Sequence, residues 1–253
     1  MGRQSFGEHK LVENIELLFF YRHHKVEYET ALQTQLDESI YARANDSYMR
    51  SLASAKDNLR QMPNLSYCFY HVPHEQRLVD LLRKKSIPMV FLLRDPRDVV
   101  ISLTHHIMRE RDSKKHRTLA AIATDEDRYL AVIHGYFGRE TPYFPLLPIA
   151  YLFERYERWL MESDVLILRY EDIIGPRGGG DQIKQYEAYA QFVRHVGLDI
   201  SEDRIQSIAD NIYNESAAFF IKGQIGQWRD KFTPLIENEF QRQMGKTLHL
   251  WLN

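Results

Sequence analysis

The 253-residue sequence predicts an α/β fold, a single domain over 1–253 with a central parallel sheet flanked by helices. Three observations carry that expectation. Met89 to Leu93 is a five-residue apolar run that ends at once in Arg94-Asp95-Pro96, too short for an independent helix and suited to a fully buried strand. Asn64 to Tyr70 is a similar run closed by His71-Val72-Pro73, and a helical stretch from about Glu75 to Lys85 joins the two. Strand, helix, strand with a crossover of that length is a parallel βαβ unit. Asp164 to Arg169 is a third apolar run, and it ends in Tyr170-Glu171-Asp172.

The junction after Leu93 is the most informative stretch. Asp95 is a good N-cap and Pro96 suits the first helical position, while Val99, Val100, Leu103 and Ile107 recur at helical spacing. Ligands in parallel sheets bind at the carboxyl ends of strands, which puts His71 and Arg94 at one edge, and Tyr170-Glu171-Asp172 there too if its strand is parallel. Free amides, the positive end of the helix dipole and the guanidinium groups of Arg94 and Arg97 make an anion site there, phosphate being the expected anion. The plainer alternative stays open, that the arginines only pair with Asp95 and Asp98.

The remaining elements follow in chain order. Residues 1–62 are expected to be mostly helical, with Leu11, Val12, Ile15, Leu18 and Phe19 on one face. Arg109 to Arg117 is a charge run suited to a solvated loop. Thr118 to Gly138 is expected to be helical, Glu140 to Pro148 a Pro- and aromatic-rich connection, and Ile149 to Leu160 another helix. Gly175 to Gly180 (GPRGGG) is a flexible turn without the lysine of a phosphate-binding P-loop. Helices are expected over about Gln182 to Val196, Asp203 to Asn214 and Pro234 to Met244. Before the last of these, Lys222 to Trp228 is a basic loop whose glycines allow its backbone close to a ligand.

Composition narrows the function classes. Basic and acidic residues number 33 and 35, so the total charge gives no reason to expect a nucleic-acid partner. The single cysteine, Cys68, cannot form an internal disulfide and fits a reducing compartment, so the expected location is the cytoplasm. No run is long and apolar enough for a membrane span. The adjacent histidine pairs His23-His24 and His105-His106 point different ways on a helix and carry little metal-site signal, so no metal is expected.

Four pieces in order then resemble the sulfotransferases that use 3'-phosphoadenosine 5'-phosphosulfate (PAPS). They are His71-Val72-Pro73, Arg94-Asp95-Pro96-Arg97-Asp98 with Ser102, Tyr170-Glu171-Asp172, and Lys222-Gly223-x-x-Gly226-x-Trp228 with Phe232-Thr233. The region they cover is roughly 64–245. The resemblance implies PAPS as sulfate donor and a small-molecule or lipid hydroxyl as acceptor. It implies that Arg94 and Ser102 hold the 3'-phosphate, that Lys222 and Gly223 close over it, that Tyr170 lies near the adenine and that His71 is the catalytic base. A homodimer is left open. A histidine with a pKa near 6.5 can take a hydroxyl proton at neutral pH, which fits that role.

Departures from the family pattern define the alternative. The early Pro-Lys/Arg-Ser-Gly-Thr-like phosphosulfate loop has no clear copy. Arg3 to Gly7 and Leu17 to Lys25 are its two candidate remnants, and the expectation is either a loop upstream of Met1 or a lost one. Ile221 stands where many members carry an arginine, and Phe69 replaces a common lysine. The alternative is thus a non-catalytic relative that binds nucleotide weakly or acts as a scaffold. A P-loop nucleotide kinase is disfavoured by the lack of any GxxxxGK[ST].

Overall fold

The structure is a computed structural model that describes residues 73–136, 146–213 and 223–252. The expected strand at 64–70, the helical region 1–62, Cys68, His71 and Lys222 lie outside the described residues.

Strand β1 (Met89–Leu93) and strand β2 (Val165–Arg169) pair in parallel, with Met89 opposite Val165 and Leu93 opposite Arg169. Both runs are apolar because both faces of the pair are covered, as is usual for parallel strands. Alternation sorts their side chains. Leu93 joins one core with Val100, Ile101, Ile133, Phe240, Met244 and Trp251, and Phe91 and Ile167 pack against it. Leu92 and Leu168 join a second core with Tyr170, Ile173, Tyr189 and Ile205. A third cluster, Leu78, Val79, Leu82, Met89, Trp159 and Val165, covers the amino ends of the strands.

Helix α1 (Gln76–Lys84) leads into β1; its N-cap Glu75 accepts a hydrogen bond from the Leu78 amide at 2.9 Å, and it buries Leu78, Val79 and Leu82. Helix α2 (Pro96–Arg109) follows β1 and starts where the sequence predicts: the Asp95 carboxylate accepts the Arg97 amide at 2.9 Å, with Pro96 at the first turn. The charge run is not all loop, because Ser113 caps α3 (Lys114–Ala120) by accepting from the His116 amide at 3.0 Å. Leu119, fully buried, anchors that helix. The expected helix over 118–138 is therefore two. The chain breaks after Ala120 and restarts at Thr124, whose hydroxyl caps α4 (Asp125–His134), with three acidic residues in the first turn.

Helix α5 (Ile149–Glu154) is shorter than expected and passes into a 3₁₀ turn, Glu157–Met161, before β2. After β2 come α6 (Tyr170–Ile173), a 3₁₀ turn at Pro176–Gly178, α7 (Gln182–His195) and α8 (Glu202–Asn211). The late loop then leads through α9 (Trp228–Lys231) to α10 (Pro234–Met244), capped by Thr233, and α11 (Leu248–Leu252), a helix the sequence reading passed over. The single-domain α/β expectation holds.

Candidate functional site

The site forms where β1 and β2 deliver the chain to α2 and α6 at the carboxyl edge. Register sets this: Leu93 lies opposite Arg169, so Arg94 and Tyr170 leave the sheet side by side. The Arg94 guanidinium is almost wholly buried and lies 4.3 Å from the centre of the Tyr170 ring, a cation–π contact. Tyr170, also buried, therefore braces Arg94 with one face of its ring. Glu171 ties the two strand ends together by accepting the Asp95 amide at 2.8 Å. Burial pushes its carboxyl above the ordinary value, and the Asp95 hydrogen bond opposes that shift.

The late loop is brought to the same place. Arg94 donates to the Gln224 carbonyl at 3.0 Å, and Asp98 accepts the Gly226 amide at 2.6 Å and the Trp228 amide at 3.0 Å. Asp98 is 1% exposed; burial raises its carboxyl pKa, against the lowering effect of Arg94 and of these amides. Arg97 is not a free anion ligand; for it the plainer alternative holds. It pairs with Asp95 at 2.7 Å and lies 3.7 Å from the centre of the Trp228 ring, so its guanidinium is spent on holding the loop.

GPRGGG, expected to be a flexible turn, is the other wall of the loop. The Gly178 carbonyl accepts the Ile225 amide at 3.0 Å, and the Gln224 side chain donates to the Arg177 carbonyl at 2.7 Å. Gly223, with φ +55, sits against Gly178. The loop is thus clamped between the first turn of α2 and the Pro176–Gly178 turn.

Of the predicted site residues, the structure brings Arg94, Tyr170 and the loop that begins at Gly223 together. Ser102 lies one turn beyond Asp98 on α2 and is half-buried. Among the described residues, the buried Nε–H of Arg94 has no hydrogen-bond partner. An unpartnered buried guanidinium N–H calls for an acceptor. The arrangement offers donors that suit a small anion at a helix N-terminus, with a glycine loop over them. The sequence reading missed Asp98 and the glycine turn at 175–180 as parts of that arrangement. An acidic residue in a first turn looks like any dipole partner, and nothing local shows that its partners are 128 and 130 residues away.

His74, three residues after His71, is held elsewhere. Its Nε2 lies 2.5 Å from Glu162, three residues before β2, and its ring meets Trp159 edge-on at 5.0 Å. That is the amino end of the sheet. Among the described residues, no helix is long and apolar enough to cross a membrane and no group of His, Cys, Asp and Glu could hold a metal ion.

A strand-to-helix junction under a clamped glycine loop, on a parallel sheet, is an arrangement suited to a phosphorylated ligand. The chain belongs to the sulfotransferase domain family, whose model matches residues 4–251. No curated protein matches the sequence. Among solved structures, it is similar to mouse sulfotransferase SULT7A1 complexed with PAP, at 15% identity and a TM-score of 0.50. That match covers 71% of this chain and 66% of the mouse protein, so this chain spans just under two thirds of the mouse protein's length. Retinol dehydratase in complex with androsterone and inactive cofactor PAP matches at 19% identity, covering 95% of this chain and 75% of the other, with a TM-score of 0.49. Retinol dehydratase in a complex with retinol and PAP matches at 20%, covering 97% and 79%, with a TM-score of 0.49. At such identities the likeness is one of fold.

Proposed function

We propose that the protein is a PAPS-dependent sulfotransferase that moves a sulfuryl group to a hydroxyl of a small molecule or lipid. The observation that carries the reading is the late loop seated over Arg94, whose buried Nε–H has no hydrogen-bond partner among the described residues. Family membership and the nucleotide PAP held by the mouse neighbour support the donor. In this reading Arg94, Lys222 and Gly223 hold the 3'-phosphate. Ser102 adds a hydroxyl from the same helix, and Tyr170 serves the nucleotide site by bracing Arg94. Arg94 meets the test of fit, because a phosphate oxygen supplies the acceptor its Nε–H lacks.

His71 is the general base. As the acceptor oxygen attacks sulfur in line, a new O–S bond forms and the bond from sulfur to the 5'-phosphate oxygen breaks. The hydroxyl proton passes to His71, and PAP leaves. The transition state needs position and charge stabilisation rather than a covalent intermediate, by analogy with phosphoryl transfer.

The test is PAP binding by calorimetry together with sulfate transfer. Arg94→Ala and Ser102→Ala each weaken PAP, Arg94→Ala by about 10- to 100-fold as expected for a charged hydrogen-bond partner. His71→Ala lowers transfer by about 10² to 10⁴ while PAP binding persists. Failure of the wild-type chain to bind PAP sinks the proposal. A second reading, a relative that binds nucleotide weakly or acts as a scaffold without turnover, is favoured by one observation: no clear Pro-Lys/Arg-Ser-Gly-Thr-like loop follows an early strand. PAP binding without transfer to any of a panel of phenols, alcohols and sterols selects it.

A further inference from the structure

Asp98 has no part in the chemistry above, and its setting is unusual for an acid in a first helical turn. Such acids ordinarily serve the dipole from the water side. Asp98 is 1% exposed and spends both oxygens on backbone of the late loop, Oδ2 on Gly226 and Oδ1 on Trp228. Asparagine would offer one carbonyl oxygen in place of two acceptors. Gly226, at φ +71, takes a conformation that other residues adopt only under strain. Arg94 on Gln224 and Arg97 on the Trp228 ring grip the same loop from the same junction.

We propose that Asp98 is a positioning residue, a latch that holds the loop at 223–228 on the first turn of α2 and so presents Gly223 at the phosphate seat before nucleotide arrives. The inference deepens the sulfotransferase reading and rests on it for the identity of the ligand, though not for the latch itself. Holding the loop beforehand removes an ordering cost from ligand binding, so the latch is a source of affinity although Asp98 touches no ligand. Burial of its charge is unfavourable, which the Arg94 charge and the two amides offset only in part.

Amide hydrogen exchange on the full chain without ligand, paired with PAP titration, tests it in the Asp98→Asn variant. Faster exchange at Gly226 and Trp228 is expected, together with PAP binding weakened about tenfold in the folded fraction, in line with loss of a charge-assisted hydrogen bond. A merely structural role would lower the melting temperature and leave that dissociation constant unmoved, which overturns the proposal. Unchanged exchange at both amides overturns it too. Should the wild-type chain bind no PAP, the exchange result still decides the latch, and it is the sulfotransferase reading that falls. If Asp98→Asn does not fold, Gly226→Ala strains the other half of the latch and leaves the carboxylate in place. The same two readouts are expected, and wild-type values for both overturn the proposal.

Discussion

At the amino end of the sheet, Arg83 bridges Glu162 at 2.7 Å and Asp164 at 2.5 Å in reach of water, and His74 adds a second contact to Glu162. At the carboxyl end, buried Asp98 gives both oxygens to backbone amides of the late loop, and half-buried Glu171 gives one of its oxygens to the Asp95 amide. The pKa directions divide the same way. The His74 and Arg83 hydrogen bonds hold Glu162 below its ordinary value, and Arg83 does the same for Asp164, whereas burial lifts Asp98 and Glu171. Charges at the first end are placed where they are comfortable. Those at the second are placed where the chain needs a loop and a helix start held, at some cost to stability.

Three experiments sharpen or break that contrast. Trp251, 1% exposed, belongs to the core that holds Leu93 at the end of β1; it packs edge-on against Phe153 at 4.6 Å while its carbonyl takes a hydrogen bond from Arg169 at 3.1 Å. Trp251→Ala is expected to cost about 3–5 kcal/mol in denaturant unfolding. A loss below 1 kcal/mol would mean that the carboxyl end does not depend on that core.

The second effect is in the pH dependence. Glu171 is raised above 4.5 in the folded chain, so its unfavourable share is present at neutral pH and disappears as pH falls through the raised value. Wild type should therefore gain on Glu171→Gln in melting temperature between pH 7 and about 4.5. Glu162 is lowered, so its favourable share is present above 4.5 and is lost only as pH falls through its folded value. Wild type should accordingly lose ground to Glu162→Gln only on the acid side. Differences between wild type and variant are the right measure, because Lys115, pushed down to about 7 by burial, titrates in the neutral range as well. Equal slopes for the two variants would erase the contrast. The smallest effect is expected from Arg83→Ala, which removes partly exposed ion pairs: melting temperature should barely move and PAP binding not at all.

Much of the carboxyl end was legible in the sequence, because the signals there are local. Five apolar residues, an Asp-Pro start and helical spacing placed β1 and α2, and a second apolar run ending in Arg169 placed β2. The family resemblance singled out Arg94, Tyr170 and the loop at Gly223, which the structure gathers. What escaped depends on distant partners. Asp98 looks like a solvated helix acid until residues 226 and 228 arrive. The glycine turn looks slack until Ile225 hydrogen-bonds to it, and Arg97 looks available until Trp228 covers it. The break between α3 and α4 had a local signal in Thr124 and the acids after it, which apolar spacing across 118–138 outweighed.

The meeting of Gly178 with the late loop has a consequence for how this chain can vary. A β-carbon at 178 would stand 2.7 Å from the Gly223 oxygen, with the Ile174 side chain crowding it from behind, so a single methyl there works as a wedge. Any larger residue would pry apart the two backbones that meet here. The hydrogen atom at 178 is thus a fixed clearance, and mutational drift at this buried glycine is limited by a tolerance set by the loop that lies against it.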